Sequence, residues 1–217
     1  MKSYVAFFDL DQTIFNVNSG RILIEHAHKR GLIHLKQIIL AYLFSALYGI
    51  GLLNAEYIMK KLAIWLKGIS EKDFIEFSDT VFDKYLKDAV RPDAKKEIDY
   101  HKKNNAYMVI LSAATWYICR PAKELLLFDD ILCSKLEVVD GTFSGNPDGD
   151  YCFGVEKLNR VKQYCKKHNF EIKQAYYYAD SHSDVMVLKA VGNPVCVTPD
   201  SKLKKVALKN GWSIRQW

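Results

Sequence analysis

The chain has 217 residues, of which 49% are hydrophobic and 26% charged, a composition typical of a folded globular protein without a long disordered tail. A formal net charge of +6 allows attraction to anions, but no arginine-rich stripe or recognition motif accompanies it, so no nucleic-acid partner is expected. The five cysteines form no Cys-x-x-Cys pair, which argues against a metal–thiolate site and favours reduced, structural thiols.

The first predicted element is a buried strand that leads directly into two carboxylates. Residues 5–8 (VAFF) form a short apolar run rich in β-formers, as in a strand covered on both faces. Asp9 and Asp11 follow one residue apart, too early for a secretory signal, so a cytoplasmic protein is expected. The pair alone fits either a catalytic site or a turn, because aspartate also favours turns and helix N-termini.

Residues 14–90 are predicted to be an all-helical cap inserted after this first strand. Leu, Ile, Tyr and Phe recur there at helical spacing, with Gly49 and Gly51 as the clearest interruption. Arg91-Pro92 marks the return to the core, because a residue before proline avoids the helical region. The predicted catalytic core therefore comprises residues 1–13 and 91–217.

The remaining segments alternate between strand and helix. Apolar runs at 107–111, 175–178 and 194–197 are followed by small or acidic residues, and helical patterns separate them at 94–103, 118–127, 155–167 and 184–191. Residues 138–145 (VVDGTFSG) predict a small hairpin with an Asp-Gly turn. The fold class predicted is α/β, a Rossmann-like parallel sheet with helices on both faces plus the inserted helical cap.

Polar residues cluster where these strands end, which is where ligands bind in parallel sheets. The candidate site residues are Asp9, Asp11, Thr13, Ser112, Lys157, Asp180 and Asp184. A carboxylate can attack phosphorus, a lysine and a hydroxyl can hold phosphoryl oxygens, and crowded carboxylates favour Mg²⁺. Each residue alone has a structural explanation as a cap, turn or surface side chain; the set in this order favours phosphoryl transfer.

The strings DLDQT, VILSAAT, CFGVEKL and YYADSHSD resemble those of the haloacid dehalogenase (HAD) superfamily of phosphatases, in the phosphoserine phosphatase-like branch of its subfamily IB. The resemblance implies Asp9 as nucleophile and Asp11 as general acid/base. It implies Mg²⁺ held by Asp9, the Asp11 backbone carbonyl and Asp180, with Asp184 supporting the metal site. Thr13, Ser112 and Lys157 are the implied phosphate-binding residues.

Two departures from the family pattern bear on the substrate. Gln12 stands where glycine or serine is more usual, and Asn18 stands where phosphoserine phosphatases carry a glutamate that recognises the amino group. Phosphoserine phosphatase, another small-metabolite phosphatase and a phosphotransferase that uses the same residues are the alternative functions. A response-regulator receiver is disfavoured, because its phospho-acceptor would follow the third strand.

The uncharged run 37–55 predicts a substantial apolar surface in the cap. A single membrane span there would separate Asp9 from the other site residues, so a cap helix or helix pair is expected instead. Residues 21–67 hold seven basic and two acidic residues, and apolar surface ringed by cations suits a membrane interface. A bulky or lipid-like phosphomonoester and peripheral membrane contact through the cap are therefore predicted; the sequence does not indicate an oligomeric state.

Overall fold

The computed structural model describes residues 2–49 and 55–217. The strands are β1 (Val5–Phe8), β2 (Tyr107–Thr115), β3 (Asp130–Ser134), β4 (Leu136–Val139), β5 (Thr142–Pro147), β6 (Tyr176–Ala179), β7 (Asn193–Val197) and β8 (Ser213–Arg215). The helices are α1 (Ser19–Lys29), α2 (Leu35–Gly49), α3 (Ala55–Trp65), α4 (Glu71–Val81), α5 (Pro92–Lys103), α6 (Trp116–Leu126), α7 (Val155–Lys167), α8 (Val185–Ala190) and α9 (Ser201–Asn210).

Six strands form a parallel sheet in the order β3-β2-β1-β6-β7-β8, with the first strand of the chain near its centre. Successive side chains of β1 face opposite sides, as the pleat requires. Phe8 packs with α5 and α6 on one side, whereas Phe7 packs with α7, α8 and α9 on the other. The predicted α/β fold with helices on both faces is confirmed.

The described residues between β1 and β2 are mainly helical. α1 to α4 follow one another there, and two short helical turns, Phe82–Leu86 and Lys87–Ala89, lead back towards the sheet. α2 ends at Gly49, while Gly51, the second predicted interruption, lies outside the described residues. The division into a core and a cap at residues 14–90 remains a prediction.

The hairpin β4–β5 joins this helical region to the sheet. The backbone of Gly68 donates to the Phe143 carbonyl, and the Phe143 amide donates back to Ile69. Phe143 is buried against Phe74 and Tyr117, so an apolar cluster spans the hairpin, α4 and α6. The hairpin therefore ties the helices between β1 and β2 to α6, which begins directly after β2.

A buried histidine lies beneath the centre of the sheet. His101 is fully buried, with the Tyr4 hydroxyl 2.8 Å from its Nδ1 and the Tyr178 hydroxyl 2.7 Å from its Nε2. Because the Tyr178 hydroxyl donates to Glu97, the consistent arrangement has Nε2–H donating to Tyr178 and Nδ1 accepting from Tyr4. A neutral imidazole can form both of these hydrogen bonds with the tyrosine hydroxyls. Burial lowers the pKa of His101 to about 4.

This histidine is expected to make the fold sensitive to acid. Its folded pKa lies below the unfolded value of 6.5, so the unfolded chain binds the extra proton first and stability falls as the pH drops from 6.5 towards 4. When the pH falls from about 7.5 to about 5, His101 lowers the free energy of unfolding by about 2 kcal/mol. Urea unfolding of wild type and His101→Gln at both pH values measures it. If His101→Gln lost as much stability as wild type between these two pH values, His101 would not be the cause of the acid sensitivity.

Candidate active site

Asp9 emerges from the carboxyl end of β1 into a wide turn. Its amide donates to the Tyr178 carbonyl of β6 at 2.9 Å, and the turn closes where the Phe15 amide donates to the Leu10 carbonyl. Gln12 has φ 57°, a left-handed conformation that is uncommon for a residue with a side chain. The left-handed backbone at this position explains why glycine is more usual there, and the turn directs Asp9 and Asp11 towards one edge of the sheet.

Lys157 bonds directly to Asp9 in the buried interior of the site. The Lys157 Nζ lies 3.1 Å from Asp9 Oδ1 and 2.7 Å from Asp184 Oδ1, and its side chain is only 3% exposed. Although burial alone would lower it, the carboxylates of Asp184 and Asp9 hold the pKa of Lys157 well above its usual value. Lys157 is therefore a charged, fixed donor next to Asp9.

Tyr177 is a site residue that the sequence analysis missed. Its hydroxyl donates to Asp184 Oδ1 at 2.7 Å and accepts from Lys157 Nζ at 3.1 Å. The three ammonium protons of Lys157 thus have partners in Asp9, Asp184 and Tyr177. Tyr177 belongs to an apolar strand pattern, YYYA, which predicts a core residue and gives no separate sign of a polar contact.

Asp180 lies at the end of β6, beside β1. The Thr13 hydroxyl donates to its Oδ1 at 3.3 Å, so Thr13 contacts Asp180, and its predicted contact with phosphate stays a prediction. Burial, together with the charges of Asp9 and Asp184, raises the pKa of Asp180 to about 8. Burial likewise raises the pKa of Asp9 to about 6, with Lys157 opposing the shift and Asp184 and Asp11 adding to it.

Asp11 sits at the N-terminus of α1, where its Oδ1 accepts from the Ser19 amide at 3.0 Å. Burial raises the pKa of Asp11, while the bonds from Ser19 oppose the rise. A half-buried carboxyl with a raised pKa retains a proton more readily than a surface aspartate, which suits an acid that gives a proton to a leaving group.

Ser112 lies within β2, which continues to Thr115 instead of ending at 111 as predicted. Its position is still at the functional edge, because Phe8 pairs with Ile110, two residues before it, and the pairing with β3 becomes irregular after Ser112. The Ala114 amide donates to the Ser112 hydroxyl at 3.3 Å. Ser112 is buried.

A cavity of about 610 Å³ lies between the cap helices and this edge of the sheet. Asp11 and the β2 residues Ala113, Ala114 and Thr115 form its floor. Its walls are mainly apolar and include Leu23, Ile58, Leu62, Trp65, Phe74 and Ile118. Of the candidate site residues, Asp11 lines this cavity, so the cavity lies next to the end of β1.

Few charged groups line this cavity. Besides Asp11 they are Arg21 and Glu25, which pair with each other at 2.9 Å. Asn18 also lines the cavity, but its side chain caps α1 by accepting from the Arg21 amide at 2.8 Å. No unpaired cation among the described lining residues is placed to bind a substrate carboxylate.

At the end of the central strand β1, Asp9 contacts the buried Lys157, an arrangement that suits attack of a carboxylate on a phosphoryl group. The chain belongs to the haloacid dehalogenase-like hydrolase family, whose model matches residues 6–189. The chain is therefore a hydrolase of this family, and relatives and structural neighbours with phosphatase names are among the proteins it resembles.

Three similar proteins span almost the whole chain. A histidinol-phosphatase of Neisseria meningitidis serogroup C (strain 8013) is 26% identical over 215 residues, covering 97% of each chain. A protein of unknown function from Bordetella pertussis Tohama I has a TM-score of 0.90 at 20% identity, covering 99% of each chain. A structure described as a phospho-aspartyl intermediate analogue of phosphoserine phosphatase has a TM-score of 0.73 at 18% identity, covering 100% of this chain and 94% of that one. At these identities the structures show the fold alone.

Proposed function

We propose that the chain hydrolyses phosphomonoesters with Mg²⁺ through an aspartyl-phosphate on Asp9. The observation that carries the proposal is the contact of Asp9 Oδ1 with the buried Lys157 ammonium, because a carboxylate nucleophile beside a fixed cation suits attack on a phosphoryl group. The geometry also separates the carboxylates: Asp184 is bound to Lys157 and Tyr177, whereas Asp180 accepts only from Thr13 among the bonds of the described side chains.

The donor set fits a magnesium ion. The site holds four carboxyl groups, those of Asp9, Asp11, Asp180 and Asp184, and within the described chain their one ion-paired cation is Lys157, which pairs with Asp9 and Asp184. Burial raises the pKa values of Asp9 and Asp180, and neighbouring carboxylates add to both shifts. No three His, Cys, Asp or Glu side chains of the described residues form a ready-made metal cluster. Mg²⁺ does not need one, since it commonly takes one or two carboxylates plus water and phosphate.

Asp9, Asp180 and the Asp11 backbone carbonyl are the groups proposed to hold the ion. When bound, it would neutralise charge on the phosphoryl oxygens and on the surrounding carboxylates. Asp184 is proposed to act through Lys157, because its Oδ1 already accepts from both Lys157 and Tyr177. It would thereby keep the ammonium aimed at Asp9.

The chain's own residues provide both halves of the reaction. An Asp9 oxygen attacks phosphorus as the bond to the leaving oxygen breaks, and Asp11 gives that oxygen its proton. Lys157 and Ser112 bind the phosphoryl oxygens. Water then attacks phosphorus, the Asp9–phosphorus bond breaks, and Asp11 takes the proton of the water, which returns both carboxyl groups to their starting states.

The proposed substrate carries a bulky, apolar alcohol. The cavity beside Asp11 is large, its walls are apolar, and Arg21 and Glu25 neutralise each other within it. An amino acid headgroup with one ammonium and one carboxylate would be desolvated there without an evident partner for either charge. The names of the relatives point to smaller polar substrates, phosphoserine and histidinol phosphate, and these form the competing candidates.

A substrate panel with metal control tests the proposal. We expect turnover of alkyl and aryl phosphates with Mg²⁺, its loss in EDTA, and a kcat/KM that rises with the apolar size of the alcohol. Phosphoserine, histidinol phosphate and lysophosphatidate belong in the same panel. Metal-independent turnover would contradict the proposed Mg²⁺-dependent reaction. A preference for phosphoserine would contradict only the proposed apolar substrate. Faster phosphoryl transfer to added alcohols than to water would indicate a phosphotransferase.

Asp11→Asn is expected to impair turnover in a way that depends on the leaving group. Asparagine cannot supply a proton, so hydrolysis of alkyl phosphates should fall by roughly 10²–10⁴-fold, whereas nitrophenyl phosphate, whose alcohol leaves without protonation, should lose much less. Rates for both esters with wild type and variant give the comparison. An equal loss for both esters would show that Asp11 is not the acid.

A further inference from the structure

The exposed face of α2 is almost entirely apolar. Leu35, Ile39, Leu40, Tyr42 and Leu43 are each between 40% and 60% exposed. Leu35, Ile39 and Leu43 recur every four residues and therefore lie one above another along the helix. Lys36 is the charged residue of this helix, whose sequence contains no acidic side chain. Such a face is too apolar for a surface that meets only water.

Basic residues lie on the helices that pack against α2 and at their ends. α2 packs against α1 and α3, and α1 ends at the exposed residues Lys29 and Arg30. α3 adds exposed Ile64 and the neighbouring Lys60 and Lys61. Across residues 21–67 the seven basic residues outnumber two acidic ones, of which Glu25 is paired with Arg21. An apolar face with positive charge near it complements a membrane surface, which has anionic headgroups above a hydrocarbon layer.

The same helices form the walls of the cavity. Tyr42 of α2 is half-exposed and lines the cavity, as do Ile58 and Leu62 of α3. An amphiphile held at this face would thus have a short apolar path towards Asp11. This connection rests on the proposed function, since it matters only if the alcohol is apolar.

We propose that the outer face of α2, with its α3 neighbours, docks on an anionic membrane surface. This face would lie at the membrane–water interface and not across the bilayer. Among the described residues, no helix is both long enough and apolar enough to cross a bilayer. A second copy of the chain is a poorer occupant, because a symmetric contact would bring the same positively charged rims together. An anionic lipid surface supplies both the opposite charge and the apolar layer.

Vesicle co-sedimentation of the full chain tests the proposal. The vesicles are phosphatidylcholine alone or phosphatidylcholine mixed with phosphatidylglycerol, at low and high salt. The test variants are Ile39→Ser/Leu43→Ser and Lys36→Glu. The matched controls are Leu208→Ser and Lys205→Glu, which change exposed residues of α9, away from the cap.

Wild type is expected to bind the anionic vesicles, and salt should weaken binding by screening the charges. Each test variant should lower the partition coefficient by roughly tenfold or more, whereas the α9 controls leave it unchanged. All variants should hydrolyse soluble nitrophenyl phosphate like wild type, which separates docking from catalysis. Absence of vesicle binding by an active wild type, equal binding by the test variants, or a change from dimer to monomer in these variants by sedimentation velocity would overturn the proposal.

Discussion

Asp9→Asn is expected to abolish turnover while leaving a protein that is at least as stable as wild type. The amide is a poor nucleophile, so kcat should fall by about three orders of magnitude or more with every ester. Acid-quenched enzyme should also lose the hydroxylamine-sensitive phosphate that an acyl phosphate on Asp9 would give. Both results follow from the loss of the Asp9 carboxylate, whose Oδ1 accepts from Lys157.

The stability expectation has a definite sign. Burial raises the pKa of Asp9 from 3.8 to about 6, so ionisation of Asp9 destabilises the folded chain at neutral pH. A neutral, isosteric amide removes that penalty, and urea unfolding at neutral pH in EDTA should show a gain of about 1–3 kcal/mol. Asp83→Asn, at an exposed position in the turn after α4, should change neither stability nor activity appreciably. An active Asp9→Asn protein, or one that is inactive because it unfolds, would contradict the role assigned to Asp9.

The sheet was largely predictable because its central strands are buried on both faces. β1 and the helix α7 coincide with the segments predicted at 5–8 and 155–167, where apolar runs or helical periodicity are continuous. The edge strands β3 and β8 were missed, since they are short and only partly buried and therefore carry no continuous apolar run. α9 was also missed, although Asp200 caps it by accepting from the amides of Lys202 and Leu203.

The identity of the site residues was more predictable than the contacts between them. Acidic residues after β1 and β6 meet because neighbouring parallel strands end at the same edge. Sequence alone could not show that Asp184 would contact Lys157, because that contact depends on how α7 and α8 pack on the sheet. Tyr177 was hidden for a related reason: its ring belongs to the core, and only its hydroxyl reaches the site.

Lys157→Met is expected to damage both the fold and the chemistry. Lys157 balances the negative charges of two carboxylates, those of Asp9 and Asp184. Removing one partner of a buried ion pair typically destabilises a folded protein by about 3–5 kcal/mol. Turnover should fall by roughly 10²–10³-fold even where the protein is folded, because a donor to the phosphoryl oxygens is lost. Lys162→Met, at an exposed position of the same helix, is the matched control and should change little.

The double variant Lys157→Met/Asp184→Asn separates the structural role of Lys157 from its catalytic one. Without the ammonium, Asp184 would be a buried charge with no cation, and asparagine removes that charge while it can still accept from Tyr177. Urea unfolding at neutral pH should therefore show the double variant to be more stable than Lys157→Met. Turnover should stay as low as in the single variant, because the amide restores no donor at Asp9. Recovery of turnover together with stability would mean that Lys157 serves the fold alone.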